Sequence, residues 1–437
     1  MRKYPTYKPS GIQWAGEIPA HWIVKKFKFG SSTINGFAFA SDMFSDSEGV
    51  PLIRIRDIAN NKTETFFRGN FPETAIVENG DLLVGMDGDF LLQEWKGPKA
   101  LLNQRVCKLL PQKNFIKGYL RFTGQFPLNV INDVTYFVTV KHLSDNDIKN
   151  CIFPIPSLLE QQSIVRFLDY KTGQIDSFIA NRQKQIDLLK EQLHFKINKA
   201  ITKGIKSKAK FKPTDIKYVP EIPEHWDIRK FKSLTSILTC GVAATPEYVE
   251  ESEGVAFLSA QNCRPFAMDL AKYSYIKPSL HKQLTRHKKP KRGDVLVTRV
   301  GAGIGQACII DTDLEFSVYV SLTHIRPNKE ILSEYIVYFF NTEYCYQLNL
   351  EGTVVGGGQG NLNVKNVERY RIPLPPIEEQ KEIIQYLDNY RTETNTLISK
   401  YQKQIDLMRE YRTSLIRQVV TGKFDVGEWH PKKKGEA

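Results

Sequence analysis

The chain repeats itself, and that repetition limits what it can fold into more than any other feature. Tyr7 to Trp22 reads YKPSGIQWAGEIPAHW, and 204 residues later Phe211 to Trp226 reads FKPTDIKYVPEIPEHW. SEGV at Ser47 returns at Ser252, and GDLLV at Gly80 returns as GDVLV at Gly293. FPIPSLLEQQSIVRFLD from Phe153 returns as IPLPPIEEQKEIIQYLD from Ile372, and RQKQIDLL from Arg182 as YQKQIDLM from Tyr401, both at a shift of 219 residues. The second body is therefore about 15 residues longer than the first, while the segments that follow the two bodies keep their internal spacing. Duplication of a stable fold with no functional consequence would leave similarity spread evenly. Here it is concentrated in the opening motif and the closing segments.

Each half changes character once. From about residue 20 to 155, apolar runs such as VPLIRIRDI, GDLLVGM and LNQRVCKLL alternate with Gly, Asn, Asp and Pro, which reads as strands and turns. GVAFLSAQ, GDVLVTRV and QACIIDT repeat the pattern between about 226 and 372, with one helix expected at Leu332 to Asn341. After Pro156 the period switches: Ile164, Leu168, Ile175, Ile179, Ile186, Leu189, Leu193 and Ile197 recur at helical spacings, as do Ile383, Leu387, Ile398, Ile405, Met408, Leu415 and Val419. Pro156 and the Pro375–Pro376 pair precede these runs, Gly204 and Gly422 close them, and Gly173 is a candidate kink. The predicted class is α+β: two strand-rich modules joined by two long antiparallel, coiled-coil-like helices with an internal pseudo-twofold repeat. The boundaries read as 1–155, 156–206, 207–372, 373–424 and a basic tail 425–437. A stripe that long needs a partner, and the other copy is the obvious one. The packing set would be Ile175, Ile179, Ile186, Leu189, Leu193, Ile398, Ile405, Met408 and Leu415; the alternative is that each helix packs only on its own module.

Composition enters through charge. With 61 Lys and Arg against 48 Asp and Glu the net charge is +13, which favours a polyanionic partner through counterion release. No apolar run has bilayer-spanning length, and the N-terminal sequence lacks the apolar core of a secretory signal, so the expected location is the cytoplasm. The six cysteines are scattered, with no CxxC pair, and read as reduced, mostly buried thiols.

Two basic runs are candidates to face phosphates: HKQLTRHKKPKR from His281 to Arg292, and Lys196 to Lys212, where seven lysines occur without a carboxylate. Within the first, Arg286, Lys288, Lys289, Lys291 and Arg292 are the selected cations. Base edges in a major groove are read by Arg on guanine and by Asn or Gln on adenine. Such side chains cluster at strand ends: Arg54, Arg56, Asn103, Gln104 and Arg105 in the first module, and Gln261, Asn262, Arg264, Thr298 and Arg299 in the second.

Catalytic motifs are poor. GAGIGQ at Gly301 lacks the last glycine of a dinucleotide loop and the helix that should follow. GGGQG at Gly356 lacks the GK[ST] ending of a phosphate loop, and the carboxylates Asp89 and Glu94 beside Lys96 only faintly echo a nuclease set with no second-module counterpart. The adenine methyltransferase tetrapeptide is absent, since the one double proline opens a helix. The chain reads as a non-enzyme with no catalytic, cofactor-binding or metal-binding residues of its own. A self-sufficient enzyme and a stand-alone DNA-binding or structural protein are the competing classes.

EIPxHW at Glu17 and Glu221, the GD[LV]LV strands, LLNQRVCKLLP from Leu101 and PPIEEQKEIIQYLD together resemble the specificity subunit of Type I restriction-modification systems over nearly the whole chain. The resemblance implies two target-recognition domains, each reading one half of a bipartite asymmetric site in double-stranded DNA, with the helices setting the gap. It implies methyltransferase (modification) subunits that bind S-adenosylmethionine and methylate adenine, and restriction subunits that translocate with ATP and Mg²⁺. The family's start of helix, Glu160-Gln161 and Glu379-Gln380 here, also supports placing methyltransferase contacts on the helical segments. The first copy departs from the family pattern with PSLLEQQ in place of PPLxEQ, which leaves the start of its helix open.

Overall fold

The GDLLV and GDVLV runs form strands Leu82–Gly85 and Val295–Thr298, whose residues are covered on both faces, which is why they read as unbroken apolar stretches instead of alternating ones. In a computed structural model that describes residues 2–112, 115–134, 141–301, 303–356 and 359–431, each run lies inside a four-stranded antiparallel sheet. In the first copy the order is Leu92–Glu94, Leu82–Gly85, Val106–Pro111, Ser31–Asn35. In the second it is Ala307–Ile309, Val295–Thr298, Leu322–Pro327, Thr235–Cys240, the same arrangement strand for strand. A second sheet in each copy carries one parallel pair, Val50–Ile53 with Ala100–Leu102 and Val255–Leu258 with Phe316–Val318.

Contacts divide the chain into two units, Met1–Arg182 with Lys403–Ala437, and Gln183–Gln402. Each unit holds one strand-rich module and a segment of both long helices, which span Leu158–Lys203 and Ile377–Val420. The first helix runs through Gly173 without a break. In the first unit Ile164, Phe167, Leu168 and Ile175 share a core with Leu415, Ile416, Val419 and Val420, with Ile179 and Met408 packed against it. In the second, Ile197, Ala200 and Ile201 share a core with Ile383 and Leu387, with Leu193 against it. The start of one helix meets the end of the other in both units, so the segments are antiparallel, and the same cores include the modules. Ile186 and Ile405 are buried, whereas Leu189 and Ile398 are only partly so.

The opening motif proves to be a clasp for the helix ends. Its halves pair as a hairpin, Tyr7–Pro9 with Glu17–Pro19 and Phe211–Ile216 with Val219–Pro223. His21 Nε2 and Trp22 Nε1 both reach Glu160 Oε1, at 2.8 and 3.1 Å, and His225 Nε2 lies 2.7 Å from Glu379 Oε2. Gly204 and Gly422 terminate the two helices at φ +74° and +68°, the left-handed conformation that glycine adopts without strain. A Cβ on Gly204 would come within 3.2 Å of the Trp226 ring, and one on Gly422 within 2.3 Å of Pro19. The PSLLEQQ departure is resolved chemically: Ser157 replaces a proline and caps the helix, its N–H and Oγ–H donating to Glu160 Oε2 at 3.0 and 2.9 Å.

The residues that follow these glutamates are structural. Gln161 accepts from Ile116 N and donates to Pro156 O, and Gln380 accepts from Leu332 N and donates to Glu330 O and Pro375 O. Both are wholly buried and Glu379 is 5% exposed, so the Gln161, Glu379 and Gln380 side chains are spent inside the units. Gln380→Ala would leave three backbone groups without this partner, the buried Pro375 O and the part-buried Leu332 N and Glu330 O, at about 1–3 kcal/mol each where water cannot replace the bond. A lowered unfolding midpoint by circular dichroism is expected, and an unchanged one would refute this role.

The modules are more helical than the sequence suggested. The helix expected at Leu332 to Asn341 is Ser333–Phe340, but Lys117–Thr123, Gln125–Val134, Asp145–Asn150, Pro278–Thr285, Glu343–Gly352 and Val364–Glu368 were not anticipated. Tyr119 and Tyr335 sit at matching places on Lys117–Thr123 and Ser333–Phe340. Tyr119 donates to Pro154 O (2.8 Å) and lies 3.3 Å from Val420 O; Tyr335 lies 3.0 Å from Pro373 O and 3.2 Å from Ile201 O. Burial pushes both phenols well above their usual range. Among the described residues no helix is long and apolar enough to cross a membrane.

Candidate nucleic-acid interface

Register aligns the modules residue by residue at the ends of their parallel strands. Leu52 and Leu101 pair in the first copy, as Phe257 and Ser317 do in the second. One step on, Asn103 N donates to Ile53 O and Tyr319 N to Leu258 O; two further on, Arg105 O accepts from Met86 N and Ser321 O from Arg299 N, both at 2.9 Å. A third strand end crosses here, bridging Phe37 to Asn103 and Val242 to Tyr319. The crossing is so close that a Cβ on Gly36 would lie 1.8 Å from Asn103 O and one on Gly241 1.9 Å from Val318 O, so neither position admits another residue. Arg54, Ile55, Arg56, Asn103, Gln104 and Arg105 thus correspond to Ser259, Ala260, Gln261, Tyr319, Val320 and Ser321.

In the first module all five selected side chains come together. Arg54, Arg56, Asn103, Gln104 and Arg105 line one cleft of about 530 Å³ with Phe39, Ser41 and Phe44. Arg54 and Arg56 stand there because strand Val50–Ile53 turns straight into the single-turn helix Ile55–Ile58, whose Asp57 carboxylate accepts from Arg54 N at 2.8 Å. Arg105 remains about half exposed, with Asp87 Oδ2 3.5 Å from its Nε. Neutralisation is slight, since Arg56 is 3.8 Å from the buried Asp57 and mostly in solvent.

In the second module the selected set separates. Asn262 is the counterpart of Asp57 and is 1% exposed, its carbonyl accepting from Ser259 N and its amide donating to Asp269 O and Lys272 O. Arg299 is 7% exposed and donates to Leu362 O, Val320 O and Asn361 Oδ1. Thr298 is buried beside it in the sheet. Asn262, Thr298 and Arg299 are therefore corrected from base-reading candidates to framework residues: the Asn262 and Arg299 donors are spent inside the fold, and the Thr298 hydroxyl is buried out of reach of a base edge. Gln261 is exposed, and Arg264 is exposed but 3.3 Å from Asp269 within its own hairpin. Tyr319 and Val320 were missed.

The run from His281 is a helix end followed by a basic loop, with Arg286, Lys288, Lys289, Lys291 and Arg292 all exposed. Arg292 holds Asp313 through two bonds of 3.0 and 2.9 Å, Lys289 pairs with Glu315, and Lys288 donates to Thr239 Oγ1 at 3.0 Å. Lys288 and His287 share a cleft of about 350 Å³ with Thr239 to Val242, which brings the loop to the strand end that bridges Tyr319. The Lys196 to Lys212 run is less free than its sequence implies, because the fold supplies carboxylates: Lys203 meets Glu221, and Lys206 meets Glu379 and Glu382.

Under the loop lies a buried ionic knot. Asp294, the acid of GDVLV, accepts from His324 Nε2 at 2.7 Å and from Arg326 Nε and Nη2 at 2.8 Å each. Burial alone would raise its pKa, but these bonds more than reverse that and hold the carboxyl below its usual value. Asp81 plays the same part with Lys108 at 3.2 Å, in a more open setting.

The motifs read as catalytically poor are structural where described. GAGIGQ is the tight turn between strands Val295–Thr298 and Ala307–Ile309, with Gly301 and Gly305 at positive φ; Ala302 lies outside the described residues, as do Gly357 and Gly358 of GGGQG. Glu94 is held by Arg121 at 2.9 Å. Among the described residues no group of three or more His, Cys, Asp or Glu side chains could hold a metal ion.

A family model described as the Type I restriction modification DNA specificity domain matches residues 27–190 and again 268–407. The chain belongs to that family. Among relatives of this specificity subunit, the Type I restriction enzyme EcoBI specificity subunit of Escherichia coli is 30% identical over 415 residues, 91% of this chain and 87% of that one. The putative type I restriction enzyme MjaX specificity subunit of Methanocaldococcus jannaschii is 25% identical over 433 residues, 94% and 95% of the two chains. A solved structure from work on complex assembly and conformational transition of the type I R-M system shares the fold, with a TM-score of 0.67 at 16% identity, covering 93% of this chain and 99% of that one. The specificity subunit is thus a non-catalytic DNA-recognition component of a Type I restriction-modification system.

Proposed function

We propose that each module of this specificity subunit reads one half of a bipartite, asymmetric DNA site, with the two long helices setting the gap. The observation that carries this is the register-level equivalence of the modules, whose frameworks coincide while the side chains presented at the shared strand ends differ. One framework repeated with two different faces is suited to two different half-sites. Arg54, Arg56, Asn103, Gln104 and Arg105 would read in the first module, with Arg286, Lys288, Lys289, Lys291 and Arg292 on phosphates beside the second. Joined, two weak readers gain selectivity through effective concentration. In the cytoplasm, modification subunits with S-adenosylmethionine would methylate adenines in the site and restriction subunits would use ATP and Mg²⁺; none of these groups would be held by this chain.

The packing set Ile175, Ile179, Ile186, Leu189, Leu193, Ile398, Ile405, Met408 and Leu415 would then serve as the spacer. Gly204 is a poor place to alter its length because it packs on Trp226. A seven-residue duplication at Gln183 in the first helix, matched at Gln402 in the second, adds about 10 Å of helix, or about three base pairs of duplex. Long-read mapping of methylated adenine in cells carrying the complete system should then show the same two half-sites at a wider gap. An unaltered gap would refute the spacer role.

A further inference from the structure

The two reading faces differ in chemistry as well as sequence. Around its cleft the first module presents three guanidinium groups, Arg54, Arg56 and Arg105. At the same framework positions the second module has none. The counterpart of Arg54 is Ser259, whose backbone N–H is held by Asn262. The counterpart of Arg105 is Ser321, 8% exposed, whose Oγ accepts from Ala260 N at 2.9 Å. Asn103 and Gln104 are replaced by Tyr319 and Val320, and Tyr319 is braced by the Phe257 ring at 5.8 Å between centroids. Arg56 is replaced by Gln261, exposed on the short turn Ala260–Asn262. That turn is fixed from both sides, by the Asn262 bonds and by Ser321, so Gln261 is presented from a rigid base.

We infer that the two half-sites are read through different base chemistry: Gln261 is the specificity-determining residue of the second module and takes the major-groove edge of adenine, whereas the arginine cleft of the first module takes guanine. This rests on the proposal that each module reads one half-site. The glutamine amide fits that edge, Oε1 accepting from adenine N6–H and Nε2–H donating to N7, while guanine offers two acceptors there and would meet Oε1 unfavourably. Tyr319 and Val320 supply apolar surface beside it, suited to a thymine methyl. The cations of the 286–292 loop stay with phosphates, which carry no base information. Gln261 is exposed and its side chain makes no hydrogen bond among the described residues, so its substitution is expected to leave folding intact.

The test is long-read methylome mapping in cells carrying the complete system, comparing the parent chain with Gln261→Ala, Gln261→Arg and Arg54→Ala/Arg56→Ala. Gln261→Ala should relax one A·T position of a single half-site, lowering discrimination there on the order of 5- to 150-fold. Gln261→Arg should move that position toward G·C, and the double arginine variant should relax a G·C position in the other half-site. If the arginine variant relaxes one half-site and Gln261→Ala leaves every position intact, the assignment of Gln261 is wrong while the two-module reading stands. If both variants relax the same half-site, the two-module reading itself fails and the inference with it. An unchanged thermal midpoint and an unchanged far-UV circular dichroism spectrum confirm folding in each variant.

Discussion

Asp294→Ala should destabilise the second unit by about 3–5 kcal/mol, because removing one member of a buried ion group leaves the others charged without compensation. Asp294 is 4% exposed and its oxygens accept from His324 Nε2, Arg326 and the Lys291 N–H. At roughly 2–4 °C per kcal/mol for a unit of this size, the midpoint should fall by about 10 °C. The sign of the pH dependence follows from the depressed carboxyl: its contribution is present above the ordinary carboxylate range and is lost as pH falls through the lower folded value. The parent chain should thus lose stability as the pH falls below the ordinary carboxylate value of about 4, and the variant should lose less on that acid flank. Differential scanning fluorimetry at pH 7 and along the acid flank measures both. A variant within 1 kcal/mol of the parent at pH 7 would show that His324 and Arg326 find other partners. The same change at Asp81 should cost less, since its side chain is 23% exposed.

The second large effect is on DNA binding, and it separates the two classes of cation. Arg54→Ala/Arg56→Ala should weaken the cognate duplex by on the order of 30-fold or more, given about 1–3 kcal/mol per bidentate base contact, with a smaller loss on scrambled sequence. Arg286→Gln/Lys291→Gln should weaken both duplexes alike and reduce the salt slope by about 0.9 per phosphate contact removed. Arg292→Gln should do less, because its guanidinium is already engaged by Asp313. Equilibrium titrations of the assembled complex across a salt series give all three. Equal losses on cognate and scrambled duplex in the Arg54/Arg56 variant would remove those arginines from base reading.

The repeat carried more of this structure than its first use suggested. Its shift at SEGV, applied forward, takes Arg54, Arg56 and Asp57 to Ser259, Gln261 and Asn262, the correspondence that the strand register gives. Its shift at GDLLV takes Gly85 and Met86 to Thr298 and Arg299, and a glycine and a methionine would not have been chosen as base readers. Thr298 and Arg299 were attractive only as polar residues after a strand; nothing local tells that Arg299 is buried under the hairpin Thr353–Gly356 with Gln359–Leu362. Tyr319 was illegible for a different reason. FSVYVS and ALLNQR share no residue, so only the pairing of their strands reveals them as the same place. The helices were plain because 3.6-residue periodicity persists over 46 and 44 residues, whereas helices of five to ten residues have too few turns to show a period.

The first unit is closed by residues from both ends of the chain: Tyr7 OH donates to Gly422 O, Arg2 pairs with Glu428, and Leu415 to Val420 cover Ile164 to Ile175. A ribosome adding about 5–20 residues per second makes Arg182 on the order of ten to fifty seconds before Val420. Throughout that interval the nascent first half carries an uncovered greasy seam, while the second half, contiguous from Gln183 to Gln402, can finish first. Maturation of this subunit therefore runs against the order of synthesis, and the emerging N-terminal half is the stage at which a chaperone has something to hold.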